Sequence, residues 1–280
     1  MAHFLLVDGH NLLFQMFYGM PNQILDRNGH AIHGTIGFVG ALLKIIRRLR
    51  PSHVAVVFDG ETHNPRKDLD ETYKANRPDW SQMEEEETPF SQLPDIYRAL
   101  DALGICHRET ETCEADDWLA GFAHRLGKEH RVTICSQDSD FFQLITKNVQ
   151  ILRYRGEHSV LCTEDYIQEK LGICPCQYAD FKSLTGDTAD NIRGADKVGP
   201  KTAAALMTEF GDLNHLLQHV EDVKKPSIRA SLTQCRDRLL KNRALICLAG
   251  EENLPFTIQD MVFTDKGLST MQVLARIGIR

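Results

Sequence analysis

The 280-residue chain lacks any apolar run approaching the roughly 18 residues that a membrane-spanning helix needs. Its start, Met1-Ala2-His3-Phe4-Leu5-Leu6-Val7-Asp8, has no basic stretch ahead of the apolar run, so it does not read as a secretory leader. The eight cysteines (Cys106, Cys113, Cys135, Cys162, Cys174, Cys176, Cys235, Cys247) include no Cys-x-x-Cys pair, and several lie inside apolar runs. That scatter predicts free thiols in a reducing compartment, and with the other two absences it predicts a cytoplasmic protein with no membrane partner. Cys174-Pro175-Cys176 has the wrong spacing for a zinc knuckle, and no matching pair follows it. Disorder-prone composition is missing too: 42% hydrophobic and 25% charged residues describe a globular chain, long enough for one large domain or one large and one small.

What is present in abundance is carboxylate, placed at particular points. Phe4-Leu5-Leu6-Val7 reads as a short buried strand, and it ends in Asp8-Gly9-His10-Asn11. Thr35 to Leu49 has apolar residues at helical spacing (Ile36, Val39, Leu42, Leu43, Ile46), then Arg47, Arg48 and Arg50 before Pro51, as at a helix end. Val54-Ala55-Val56-Val57-Phe58 reads as a second buried strand ending in Asp59, and Val132 to Cys135 as a third, ending at Asp138 and Asp140. Between the last two, Glu114-Ala115-Asp116-Asp117 opens a predicted helix. Three such strands alternating with helices predict an α/β fold with a doubly wound, mainly parallel sheet. Ligands of these sheets bind beyond the carboxyl ends of the strands, where Asp8, Asp59, Asp138 and Asp140 fall.

A single Asp after a strand is explained by a turn or a helix cap, and an acid in a first helical turn by the helix dipole. Neither explanation requires the pattern to repeat at every strand. So many like charges held together without a counter-charge would raise one another's pKa and weaken the fold, and a bound cation is the simplest remedy.

From Gly60 to Leu93 the apolar periodicity fades. Arg66, Lys67, Tyr73, Lys74, Arg77 and Trp80 interleave cations with rings ahead of the acidic run Glu84 to Glu87. A solvated surface loop and a segment that holds phosphates and stacks on bases both fit this composition. Past Cys162 the pattern is helical: Glu164 to Leu171, Gln177 to Leu184, Pro200 to Phe210, Asp212 to Val220 and Ser227 to Leu248, with no comparable strand signal before the last few residues. Gly199, Pro200 and Lys201 place a turn, a helix start and a cation together, an anion site suited to a nucleic-acid phosphate. The Gly194 to Lys201 stretch departs from the Gly-Lys-Ser/Thr ending of a triphosphate loop, and no strand precedes it. The net charge of −7 does not exclude DNA. The nine carboxylates Asp8, Asp59, Glu114, Asp116, Asp117, Asp138, Asp140, Asp187 and Asp190 account for −9, and Ile192 to Ala249 has ten Lys/Arg against six Asp/Glu.

Val7-Asp8-Gly9, Val57-Phe58-Asp59, Tyr73-Lys74-Ala75-Asn76-Arg77-Pro78, Glu114-Ala115-Asp116-Asp117, Gln137-Asp138-Ser139-Asp140, Gly186-Asp187-Thr188-Ala189-Asp190-Asn191-Ile192 and Val198-Gly199-Pro200-Lys201-Thr202-Ala203 together resemble the 5′-nuclease (flap endonuclease) family, most of all the nuclease domain that opens bacterial DNA polymerase I. The match runs in order from about residue 3 to 250. The resemblance implies a PIN-like α/β catalytic domain over 1–163 with a helical arch at about 60–93, a helix-hairpin-helix region over 164–250 that grips duplex DNA, and a tail over 251–280 packing back on the core. It implies a structure-specific phosphodiesterase acting as a monomer in replication or repair, on branched or 5′-ended DNA and on RNA primers paired to DNA. Its cofactors would be two Mg²⁺ or Mn²⁺. Asp8, Asp59 and Asp116, with Glu114 close by, would hold the first ion. Asp117, Asp138, Asp140 and Asp190 would hold the second, with Asp187 one step further out. Hard cations take such oxygen ligands, and two held about 4 Å apart can activate water and stabilise the leaving oxygen.

The same resemblance makes Lys74 and Arg77, with Asp116 and Asp138, the catalytic set. It makes Arg66, Tyr73, Lys74, Arg77, Lys197, Gly199, Lys201 and Thr202 the DNA contacts. Main-chain carbonyls of Leu184, Thr185, Arg193, Ala195 and Val198 would hold a K⁺. Arg193, where relatives commonly have Pro, and Asp196 inside the hairpin depart from the family pattern. With its end at Arg280, the chain is expected to work as a stand-alone nuclease. A non-catalytic binder of branched DNA is disfavoured by the intact acid set, and a shorter toxin-like RNA endonuclease by the helical region.

Overall fold

The structure, a computed structural model, describes residues 1–60, 65–77 and 88–279. Trp80 and the acidic run at 84–87 lie outside the described residues, as does part of the expected arch. A six-stranded sheet forms the centre: β1 (His3–Asp8), β2 (His53–Phe58), β3 (Cys106–Glu109), β4 (Arg131–Cys135), β5 (Val149–Arg153) and β6 (Val160–Cys162), in the order β3-β2-β1-β4-β5-β6. The first five run parallel and β6 runs antiparallel to β5. Leu6 stands beside Ala55 on one side and Ile134 on the other, so the three apolar runs read from sequence are the sheet's three central strands.

Burial on both faces explains why those runs are continuously apolar. Phe4, Leu6, Ala55, Val57 and Ile134 point towards α5 (Ala115–Leu126), while Leu5, Val7, Val54, Val56 and Cys135 meet the other layer. That second layer contains α1 (Gly9–Gly19), α2 (His33–Leu49) and α4 (Leu93–Leu103). The missed strands are different in kind. β3 reads Cys-His-Arg-Glu and is half exposed at the sheet edge, β5 carries polar residues at Gln150 and Arg153, and β6 has three residues. β3 and β6 make no apolar run because they are not buried along their length, whereas β5 is buried but breaks its run with Gln150, whose amide bonds the Thr133 hydroxyl at 2.9 Å.

The helical region contains α6 (Glu164–Leu171), α7 (Tyr178–Thr185), a two-residue hairpin β7 (Gly186–Asp187) and β8 (Ile192–Arg193), α8 (Pro200–Phe210), α9 (Leu213–Gln218), α10 (Pro226–Gln234) and α11 (Arg236–Ile246). The single helix expected over Ser227 to Leu248 is broken at Cys235, which closes α10 and opens α11. One apolar cluster runs from Phe4 and Ile134 through Phe141, Phe142, Tyr178 and Leu184 to Leu206 and Leu239, so the helical region shares the sheet's core.

Two expectations are corrected. Cys174 and Cys176 form a disulfide, because the single 3₁₀ turn at Pro175–Gln177 brings their Cα atoms to 5.4 Å; the other six cysteines are free thiols. The last residues form α12 (Thr270–Arg276) rather than a strand. The tail before it lies along the core: Glu251 N–H donates to the Asp117 carbonyl at 2.9 Å, Phe256 stacks on Phe122, and the Met261 carbonyl accepts from Val54 N–H at 2.8 Å. Among the described residues, no helix is long and apolar enough to cross a membrane.

Candidate active site

The chain reverses its direction of sheet growth between β1 and β4, which opens a crevice beyond their carboxyl ends. Asp8 closes β1 and caps α1, accepting from Asn11 N–H at 3.1 Å and from the Ser136 hydroxyl at 2.9 Å. Asp59 follows β2 and accepts from Ala115 N–H at 2.8 Å, at the start of α5, whose first turn holds Asp116 and Asp117. Asp138 follows β4, and its Oδ1 accepts from Asp140 N–H at 2.8 Å. Four carboxylates therefore converge, and they repel one another. Burial, reinforced by Asp59 and Asp138, pushes the Asp8 carboxyl up to about 7. Burial, then Asp138, Asp8 and Asp59, pushes Asp116 well above its ordinary range against the pull of Lys74.

A second group forms where the helical region meets the sheet. Carboxylate oxygens of Asp140, Asp187 and Asp190 all lie within 4.8 Å of one another. Asp140 is 7% exposed, and burial with Asp138 beside it pushes its carboxyl up to about 7. Asp187 sits on the β7–β8 hairpin. Gly186 turns the chain there at φ +81°, and a Cβ on it would stand 2.5 Å from Gly194 N, so no other residue fits.

The acids are grouped differently from the family-based expectation. Asp187 is a full member of the second group, and Asp138 faces both groups. Asp117 and Glu114 stand outside, held by cations of the expected arch. Arg66, on α3 (Pro65–Leu69), makes a forked pair with Asp117 at 2.7 and 3.0 Å, reaches Glu114 at 2.5 Å, and donates through Nε to the Leu245 carbonyl at 3.1 Å. Lys74 Nζ lies 2.5 Å from Glu114, and Arg77 pairs with Asp190 at 2.8 Å. Lys74 takes a left-handed backbone (φ 57°), held by its N–H donating to the Asp190 carbonyl at 3.1 Å. Asn76 and Asn191 side chains cross-link the same two segments at 2.8 Å each.

Not every expected DNA contact faces solvent. Tyr73 is 4% exposed, packed with Ala179, Ile192, Leu245 and Ile246, so its ring anchors the arch base rather than offering a stacking face. Arg66 is buried as well. Lys197, Gly199 and Lys201 are exposed at the start of the 11-residue α8, with Thr202 half-buried beside them. Of the carbonyls expected to hold K⁺, Leu184 accepts from Ala195 N–H at 2.8 Å, Arg193 from the Asn242 side chain at 2.9 Å and Ala195 from Val198 N–H at 3.2 Å.

Three residues of the site escaped the sequence reading. Ser136 supports Asp8 and the Asp138 backbone, and His10 Nδ1 accepts from Asp59 N–H at 3.0 Å. Lys182, on α7, pairs with both Asp140 and Asp187. Its only sequence signal is a lysine inside a run of residues, Tyr178 to Leu184, that are buried without exception.

Sequence profiles of known families divide the chain in two. Residues 3–172 match a 5′-3′ exonuclease N-terminal, resolvase-like domain, and residues 173–267 match a 5′-3′ exonuclease C-terminal SAM fold. The chain belongs to the 5′-3′ exonuclease family. Relatives of this 5′-3′ exonuclease chain include the thermostable DNA polymerase I of Thermus thermophilus, 37% identical over 86% of the chain and 28% of that protein. DNA polymerase I of Rhizobium leguminosarum is 34% identical over 93% of the chain and 26% of that protein. The chain thus spans about a quarter of the length of these relatives. Its fold matches T5 5′-exonuclease with bound zinc at a TM-score of 0.72 and 22% identity, covering 88% of this chain and 89% of that one. The Rad2 catalytic core in complex with DNA substrate matches at 0.60 and 15% identity, covering 99% and 92%.

Proposed function

We propose that this chain is a metal-dependent, structure-specific 5′ nuclease that hydrolyses DNA phosphodiesters at 5′ ends or flaps, RNA primers paired to DNA included, in replication or repair. The observation that supports it most is the meeting of seven carboxylates in two groups at the strand ends, next to cations of a second segment. The donor set fits hard divalent ions such as Mg²⁺ or Mn²⁺: it is all oxygen, and burial together with mutual repulsion raises the carboxyls of Asp8, Asp116 and Asp140, a cost that a bound dication relieves. Asp8, Asp59, Asp116 and Asp138 would hold one ion, and Asp140, Asp187 and Asp190, with Asp138 between, the other. Such ions supply a deprotonated water and a counter-charge for the leaving oxygen.

The chain's own residues do the rest. Ser136, Asn11 and the Ala115 N–H fix the carboxylates before substrate arrives, so no reorganisation is needed at the moment of reaction. Lys74 and Arg77 reach the acids across the crevice and would exchange those carboxylates for phosphate oxygens of the scissile strand. Lys197, Lys201 and the exposed N–H groups that open α8 would hold a duplex phosphate further out. The turn between α7 and α8 would add a K⁺, using the second lone pairs of its carbonyls.

The test is cleavage of a 5′-flap substrate in Mg²⁺ or Mn²⁺ by wild type and Asp138→Ala, with products mapped. We expect a loss of at least a thousandfold in the variant. Equal rates in the two would defeat the reading.

A further inference from the structure

The two acid groups differ in how their charge is met. Among the described residues, no Lys or Arg comes within ion-pair distance of Asp8, Asp59, Asp116 or Asp138; Asp59 has His10 at 3.7 Å, and Lys74 pulls on Asp59 and Asp116 only from further off. The second group is already neutralised from inside. Lys182 Nζ pairs with Asp140, stands 2.5 Å from Asp187 Oδ2, and its side chain is 9% exposed. Arg77 covers the third acid, Asp190, from a side chain that is half in solvent.

We propose that Lys182 is a resident counter-cation of the second group, which a divalent ion must displace, so that the two ions load unequally and in order. This rests on the metal-dependent reading above and deepens it. An ammonium and a dication cannot share the Asp140 and Asp187 oxygens that Lys182 now holds: they compete for the same lone pairs, and at contact distance in a buried site their repulsion is strong. The first group offers the opposite situation, four crowded carboxylates whose repulsion a dication relieves at once. Lys182 has somewhere to go. A cavity of about 470 Å³ opens beside it, lined by Tyr178, Thr185, Thr188 and Arg193 among others, so its flexible stem can swing the ammonium off the carboxylates while remaining paired with an incoming phosphate. Substrate would then favour the second ion twice, by adding oxygen ligands and by drawing its competitor away. Lys182 is a positioning residue in this account, since it acts through Asp140 and Asp187.

Mn²⁺ titration of the full chain without DNA, followed by electron paramagnetic resonance and calorimetry, tests it. Wild type should show two classes of site differing at least tenfold in affinity. Asp8→Asn should remove the tight class and Asp187→Asn only the weak one. Lys182→Met should tighten the weak class at least tenfold and leave the tight one within threefold, whereas Lys182→Arg, which keeps the charge, should retain the weak class. Two equal sites in wild type, a reversed assignment by the Asp variants, or a Lys182→Met second site no tighter than wild type would each overturn the proposal. The wild-type and Asp-variant titrations decide the order even where Lys182→Met does not fold. Failure of the broader reading looks different, because wild type would then bind no Mn²⁺ at all.

Discussion

Replacing Arg66 with alanine breaks four hydrogen bonds near the site at once. Arg66 is 8% exposed and ties α3 to two other helices, by a two-pronged pair with Asp117 on α5, a 2.5 Å bond to Glu114 at the cap of that helix, and a bond to the Leu245 carbonyl on α11. Alanine leaves Asp117 and Glu114, with side chains 20% and 13% exposed, short of their main counter-charge. Breaking a buried ion pair by removing one partner costs about 3–5 kcal/mol. Lys74 still holds Glu114, so the lower end, about 3 kcal/mol, applies. At about 2.1 cal/mol/K of unfolding entropy per residue, that is a fall in Tm of about 5 °C for a chain of this length. Urea and thermal unfolding in EDTA measure it. Arg66→Lys, which keeps the charge and loses the fork, should cost about half as much. Adding Asp117→Asn to Arg66→Ala should restore part of the loss, since the stranded charge is then gone. A loss below about 1 kcal/mol, or full additivity in the double variant, would refute the view that this fork holds the arch to the acid-bearing helix.

Asp8 and Asp140 keep their protons to about 7 in the fold and lose them near their ordinary value when unfolded, so the folded state binds more protons between those limits. Stability without metal should therefore fall as pH rises from about 4 to 7. In EDTA the Tm should be lower at pH 8 than at pH 5.5, with Mg²⁺ reversing the order; a higher Tm at pH 8 in EDTA contradicts this. Lys74→Ala should slow single-turnover cleavage far more than it weakens flap binding, while an equal loss in both would leave Lys74 a phosphate anchor. Gly121→Ala would set a Cβ 2.2 Å from the Glu251 carbonyl and should destabilise by about 2 kcal/mol or more, as overpacking does. Gly19→Ala, with open space around it, should be neutral or slightly stabilising in the same urea titration.

The central strands were legible because burial on both faces writes itself as an unbroken apolar run, and the acids at their ends because strand direction fixes where a side chain emerges. Edge strands left no such mark: β3 and β6 are half in solvent, so their composition follows water rather than the sheet. The helix starts at Glu114 and Gly199 could be placed from cap and proline chemistry. What sequence could not supply was the pairing of distant charges. Nothing in the string Glu-Ala-Asp-Asp shows that Arg66, 51 positions away, pairs with Asp117. Lys182 looks like an ordinary helix lysine until Asp140, 42 positions earlier, is found against it. Tyr73 reads as a nucleic-acid ring until α11 closes over it.

The second acid group is assembled from two parts of the molecule. Asp140, like Asp8, Asp59 and Asp138, follows a strand of the sheet, whereas Asp187 and Asp190 stand on the hairpin after α7, and the seam between the two parts is aromatic, Phe142 against Tyr178 and Tyr178 against Phe181. The spacing of these acids is therefore set by how the hairpin and α7 pack on the sheet rather than by any one loop. Residues at that seam can retune the spacing, and with it the choice of ion radius, without a single carboxylate being exchanged.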